Sequence, residues 1–201
     1  MIIIARYNEN ISWTKDLQVP YIIYNKGNDY IEGSKKLENK GNESDTYLRH
    51  IIDNYDNLEG TLYFIQGMPF DHIESVIIGK ESGGFNTNKG MNKDIIDFFN
   101  NYKILEDFIH LGKLYCCDLS GRPHSNLKLE DFIENIFEEF PEDVDQLYFT
   151  QGAHFAVTAN RIKTKPIEFY KNVLKELHKD VMPNGHIMER LWTYIFSNKT
   201  K

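Results

Sequence analysis

The stretch TLYFIQGMPFDH, residues 61–72, constrains this chain most, because a run of β-branched, aromatic and aliphatic residues stops abruptly at a polar break. Thr61 to Ile65 has the length and composition of a strand buried on both faces, and Gln66-Gly67 ends it. Pro69 follows, and residues 70–78 read as a helix. A strand, a polar loop and a helix in that order form the corner at which α/β proteins place ligands. Gln66, Asp71 and His72 would sit at it. An ordinary connection between strand and helix has the same signature, so both readings stand on these residues alone.

Two earlier apolar runs repeat the pattern. Met1-Ile-Ile-Ile-Ala5 leads into Arg6-Tyr7-Asn8-Glu9-Asn10, and Tyr21-Ile-Ile-Tyr24 leads into Asn25-Lys26-Gly27-Asn28. Ser12-Trp13 opens a short helix through Leu17, with Ser12 as its N-cap. Residues 27–43 form a long loop rich in Gly, Lys and Asn, of a length that belongs to function or disorder. Asn42-Glu43-Ser44-Asp45 offers caps for a helix that turns Tyr47, Leu48, Ile51, Ile52 and Tyr55 inward. The order βαβαβ predicts an α/β fold: one three-layer α/β/α domain over residues 1–201 with a mainly parallel, Rossmann-like sheet.

Residues 79–90 are the most turn-prone part of the chain and contain neither GxGxxG nor GxxxxGK[ST], so this loop carries no dinucleotide fingerprint and no P-loop. Residues 94–101 and 105–110 carry helical spacing, and Lys113 to Asp118 reads as a strand. Leu129 to Phe140 is an amphipathic helix closed by Pro141. Tyr148 to Thr158 breaks at Gly152 into two extended pieces. Pro166 opens a helix to His178, and residues 183–196 form a last helix with Glu189 near its start.

A length of 201 residues with 41% hydrophobic content suits one domain with a real core. A net charge of −7 without a basic cluster argues against nucleic acid as a partner. No apolar run approaches bilayer length and Met1 leads straight into a strand, so the expectation is a cytoplasmic protein with no transmembrane segment. Cys116 and Cys117 are adjacent and read as small buried hydrophobes at a strand end in a reducing compartment.

Several segments together resemble a widespread family of uncharacterised proteins, a domain of unknown function found in fungi, algae and large DNA viruses. They are ARYNENISW (5–13), YNKG (24–27), NKGNESDTYLRHIIDNYDNL (39–58), FIQGMPFDH (64–72), GAHFAVTANRI (152–162) and ERLWTYIF (189–196). A more distant resemblance is to type-A glycosyltransferases. Tyr7-Asn8-Glu9 is similar to their first strand-end turn, and their DxD motif is missing. Metal-independent branching N-acetylglucosaminyltransferases and peptide xylosyltransferases also lack a conventional DxD. Ile65 to Asp71, Gly152-Ala-His-Phe-Ala-Val and Glu189-Arg-Leu-Trp are similar to three of their motifs in order, the first with its Pro and Asp transposed.

The resemblance implies an enzyme that moves a sugar from a nucleotide-sugar donor, most simply a UDP-sugar, to a hydroxyl of a glycan or protein acceptor. Inverting transfer needs a carboxylate to take the acceptor proton, and the resemblance implies Glu189. Taken by itself, Glu189 is an ordinary carboxylate favoured by a helix N-terminus. Arg6, Tyr7, Asn8, Asn25, Lys26, Gln66, Gly67, Asp71 and Arg190 would border the donor, with Arg6, Lys26, Arg161 or Arg190 neutralising the diphosphate. His154 and His186 would line the acceptor side. If a metal such as Mn2+ or Mg2+ is used, Asp71 and His72 are its ligands, with Asp118 as a third. Two other readings are a nucleotide-sugar hydrolase and a non-catalytic sugar- or nucleotide-binding module resting on Trp13, Phe70 and Trp192.

Overall fold

The computed structural model describes residues 1–70, 72–73, 93–122, 127, 129–137 and 146–196. The helix expected at 70–78, the loop at 79–90 and Asp71 therefore lie, wholly or mostly, outside the described residues. In chain order the strands are β1 (Ile2–Arg6), β2 (Tyr21–Asn25), β3 (Lys35–Lys36), β4 (Thr61–Gln66), β5 (Phe108–His110), β6 (Leu114–Cys117), β7 (Leu147–Thr150) and β8 (Phe155–Thr158). The α-helices are α1 (Asn42–Asn54), α2 (Lys93–Asn101), α3 (Leu129–Ile136), α4 (Ala159–Ile162), α5 (Ile167–Leu177) and α6 (Val181–Phe196).

Among the described residues the main sheet has six strands in the order β3-β2-β1-β4-β8-β5. β1 pairs in parallel with β2 and β4, and β2 with β3, whereas β8 runs antiparallel to both β4 and β5. The fold is mixed α/β with a mainly parallel sheet. β1 lies inside the sheet with every residue buried, as an Ile-rich run covered on both faces must. Its side chains alternate between two cores. Ile3 and Ala5 join Phe64, Phe155 and the inward faces of α1, α3, α5 and α6, while Ile2 and Ile4 join Trp13, Ile65 and α2. Full burial of each such isoleucine contributes about 1.5–3 kcal/mol.

Helix α1 starts where Gly41 adopts a left-handed φ of 62°. A Cβ there would lie 2.8 Å from the Asp45 Cβ and 2.9 Å from Leu177 Cδ2, so the contact between α1 and α5 requires glycine. Trp13 lies in a short 3₁₀ helix, Ser12–Asp16. Its ring is 1% exposed and its indole N–H donates to the Gly67 carbonyl at 2.9 Å, which pins the end of β4.

Three expectations need correction. Residues 105–110 do not form a helix: Leu105 is 92% exposed, and Phe108–His110 pairs with β8, where Phe108 packs on Phe155 at 5.7 Å. Long-range strand pairing overrides a short helical spacing here. The long loop after β2 supplies a two-residue edge strand, β3. The expected strand at 113–118 is present as β6 and, among the described residues, pairs with β7 in a separate two-stranded sheet. The last helix begins at Val181, so Glu189 lies two turns inside it and not near its start. Cys117 is buried and Cys116 half-buried, both as free thiols.

Candidate functional site

Strands β1, β2 and β4 end side by side, with Arg6 in register with Asn25 and Ala5 with Gln66. Their carboxyl ends open into a cavity of about 270 Å³. Ala5, Arg6, Tyr7 and Glu9 line it from β1 and its loop, Lys26 from β2, Asn39, Asn42 and Glu43 from the approach to α1, and Gln66 from β4. The crevice beyond the ends of parallel strands is the usual binding place in such sheets.

Its two basic residues are already engaged. Arg6 is 6% exposed, and its Nε donates to the Glu9 carbonyl at 2.9 Å. Nη1 donates to Tyr7 O, Asn25 Oδ1 and Asp29 Oδ1 at 3.1, 2.8 and 2.7 Å, and Nη2 to Asp29 Oδ2 at 2.7 Å. The fork holds the Asp29 carboxyl below its usual range. Asn25 is also consumed: Oδ1 accepts from Arg6 and from Gly27 N, and Nδ2 donates to Asp29 O. Lys26 pairs with buried Asp45 at 3.1 Å and donates to the carbonyls of Lys40 and Asn42. Burial lowers its pKa, with Asp45 working against that shift. Arg6, Asn25 and Lys26 thus knit the strand-end loops together.

Two carboxylates, both partly exposed, complete the site. Gln66 Nε2 donates to Glu43 Oε2 at 3.2 Å, and the Gly152 N–H donates to Glu189 Oε1 at 2.6 Å. Glu189 Oε2 meets Arg190 Nη1 at 3.3 Å. Burial, helped by the negative charge of Glu189, pushes the Glu43 carboxyl up to about 7. Two buried polar groups beside this pair have no hydrogen-bond partner: the Tyr47 hydroxyl and His154 Nε2. Both carboxylates help raise the Tyr47 pKa, behind burial. His154 Nδ1 accepts from Gln66 N at 3.4 Å, which leaves its proton on Nε2. Burial, with a smaller contribution from His72, lowers its pKa to about 3. Gly152 makes room for this ring: with φ of 75°, its Cβ would stand 2.6 Å from His154 Nε2 and 3.1 Å from Gln66 Oε1.

The remaining expected residues are scattered around this centre. Tyr7 and Asn8 are exposed, and Gly67 faces Glu9 and Arg6. Arg190 is 5% exposed, donates to the His186 carbonyl and stacks on Phe149 at 4.5 Å, while the His186 side chain points to solvent. The His72 ring is 5.9 Å from that of His154. Arg161 lies in α4, which follows β8 at the end where β4 starts, and does not line the cavity. Asp118 closes its own turn with Ser120 and Arg122. Among the described residues no three His, Cys, Asp or Glu side chains are grouped to hold a metal ion. Trp192 is 2% exposed and, like Trp13, belongs to the core, so neither offers a sugar-stacking surface. Among the described residues no helix is long and apolar enough to cross a membrane.

The model of a family described as protein of unknown function, DUF3431, matches residues 1–82 and 115–201. The chain belongs to this family. No curated protein and no solved structure matches it. In this DUF3431 protein every residue that lines the strand-end cavity falls within the matched ranges, as do His154 and Glu189. The part outside them holds α2 and β5.

Glu43 and the Tyr47 hydroxyl were missed as site residues. Glu43 looks like any acidic residue at a helix start, where the macrodipole favours it. The available signal is spacing: Glu43 precedes buried Tyr47 by four residues and Ile51 by eight, which puts it on the inward stripe of α1.

Proposed function

We propose that this protein transfers a sugar from a nucleotide-sugar donor, a UDP-sugar in the simplest case, to a hydroxyl of a glycan or protein acceptor, with inversion and a carboxylate as general base. The observation that carries this reading is the pair Glu43 and Glu189, tied to Gln66 and Gly152 beside a polar cavity at the ends of three parallel strands. A carboxylate near neutrality is suited to taking a hydroxyl proton at physiological pH. The cavity is small beside the roughly 300–1,000 Å³ that larger ligands occupy, so it takes one sugar ring and leaves the nucleotide along the rim at Tyr7 and Asn8. Asp29 is exposed on its outer side, and its place on the Arg6 fork suits a diphosphate oxygen pair, which would supply charge where the leaving group forms. Asp71 and His72 remain the residues for a metal ion if one takes part.

A panel of nucleotide sugars, each with and without manganese, tests the proposal by thermal shift and by release of the nucleoside diphosphate. One donor should raise the melting temperature and turn over with an acceptor. Stabilisation without any turnover favours a binding module, turnover with water alone a hydrolase, and no response from any donor refutes the reading.

A further inference from the structure

We propose that Glu43, and not Glu189, is the residue that takes the acceptor proton in this site, and that Glu189 is a positioning residue behind it. This rests on the transferase reading for the identity of the ligand, a hydroxyl of the sugar acceptor.

The geometry separates the two carboxylates. Glu43 lines the cavity and is touched at Oε2 by the neutral amide of Gln66. Glu189 does not line it: one oxygen is taken by the Gly152 N–H at 2.6 Å and the other faces Arg190 at 3.3 Å. Burial, and behind it the neighbouring Glu189 carboxylate, disfavour ionisation of Glu43, the carboxylate that meets the cavity. The other groups facing Glu43 are Lys26 from the end of β2, Arg6 and Glu9 from β1 and its loop, and Tyr47 from its own helix. Lys26 and Arg6 are held by Asp45 and Asp29, which damps their pull on Glu43.

The Tyr47 hydroxyl and His154 Nε2, fully buried and without a partner, lie behind the carboxylate pair and do not line the cavity, so Gln66 and Glu43 are the groups a hydroxyl in the cavity would meet. In the transfer step the acceptor O–H proton passes to a Glu43 oxygen. The freed oxygen lone pair forms the bond to the anomeric carbon, and the pair of the breaking carbon–oxygen bond leaves with the nucleoside diphosphate.

The test is carboxyl-carbon NMR of the free protein labelled at glutamate, followed across pH 3 to 9 and assigned with Glu43→Gln. Glu43 should titrate near neutrality in the wild type, and its midpoint should fall in Glu189→Gln, whose amide oxygen still accepts from Gly152. Glu43→Asp, which keeps the titrating group, serves if Glu43→Gln does not fold. A Glu43 midpoint in the ordinary range near 4.3, or one that Glu189→Gln leaves in place, overturns the inference. With a donor in hand, the acid limb of the rate profile should follow the Glu43 midpoint in both proteins, and Glu43→Gln should lose at least about 100-fold in turnover. Failure of every donor would refute the transferase reading, while the titration would still decide where the proton resides.

Discussion

The Gly152 N–H donates to Glu189 Oε1 at 2.6 Å, which ties the middle of α6 to the turn between β7 and β8. That turn exists because Gly152 takes a φ of 75°. It sets Glu189 and His154 against Gln66 at one strand end.

Gly152→Ala should therefore be costly. The methyl meets a buried imidazole that cannot move aside, in a backbone region that L-residues avoid. Urea unfolding should show a loss of about 2–3 kcal/mol.

Acid should destabilise the fold before ordinary carboxylates titrate. Burial lowers the pKa of His50 and His110 to about 4 and that of His154 to about 3, from a model-peptide value of 6.5. Between those limits the unfolded chain binds protons that the native state refuses, so stability rises with pH across the window and is lost as pH falls. Each histidine contributes about 1.4 kcal/mol per pH unit inside it. Glu43 opposes one of them, because its raised pKa makes the native state bind a proton between about 4.5 and about 7. Unfolding free energy measured from pH 7 to pH 4 should fall, and His154→Asn should reduce the slope by about one proton.

Lys26 is buried and paired with Asp45, which also accepts from Arg49 at 3.0 Å and meets His178 Nε2 at 2.7 Å. Lys26→Met leaves Asp45 those two partners but frees the carbonyls at 40 and 42. Chemical denaturation should register a loss of about 2–3 kcal/mol.

The strands β1, β2 and β4 and helix α1 were readable in the sequence because each is an apolar run or stripe cut off by polar residues, and local pattern decides such elements. The strand-end placement of Arg6, Tyr7, Lys26 and Gln66 followed from them. What could not be read depends on distant contacts. β5 exists through pairing with β8, and β3 is two lysines recruited from a polar loop. Glu189 looked terminal because Pro183 suggests a helix start, whereas Pro183 occupies the first turn of a helix that opens at Val181. The engagement of Arg6 by Asp29, and of Lys26 by Asp45, lies in side-chain geometry that spacing does not encode.

Arg6→Lys should show how much that engagement matters. Lysine retains the charge but cannot present a fork to Asp29 while also reaching Glu9, Tyr7 and Asn25. Amide hydrogen exchange should speed up in residues 7–10 and 25–29, with the β4–β8 pairing protected as before.

The most direct test is turnover of a nucleotide-sugar panel by wild type and by Glu43→Gln side by side. The account predicts that one donor is consumed by the wild type, and that the variant still binds it but turns it over at least about 100-fold more slowly. Full turnover by Glu43→Gln, or no consumption of any donor by the wild type, would contradict it.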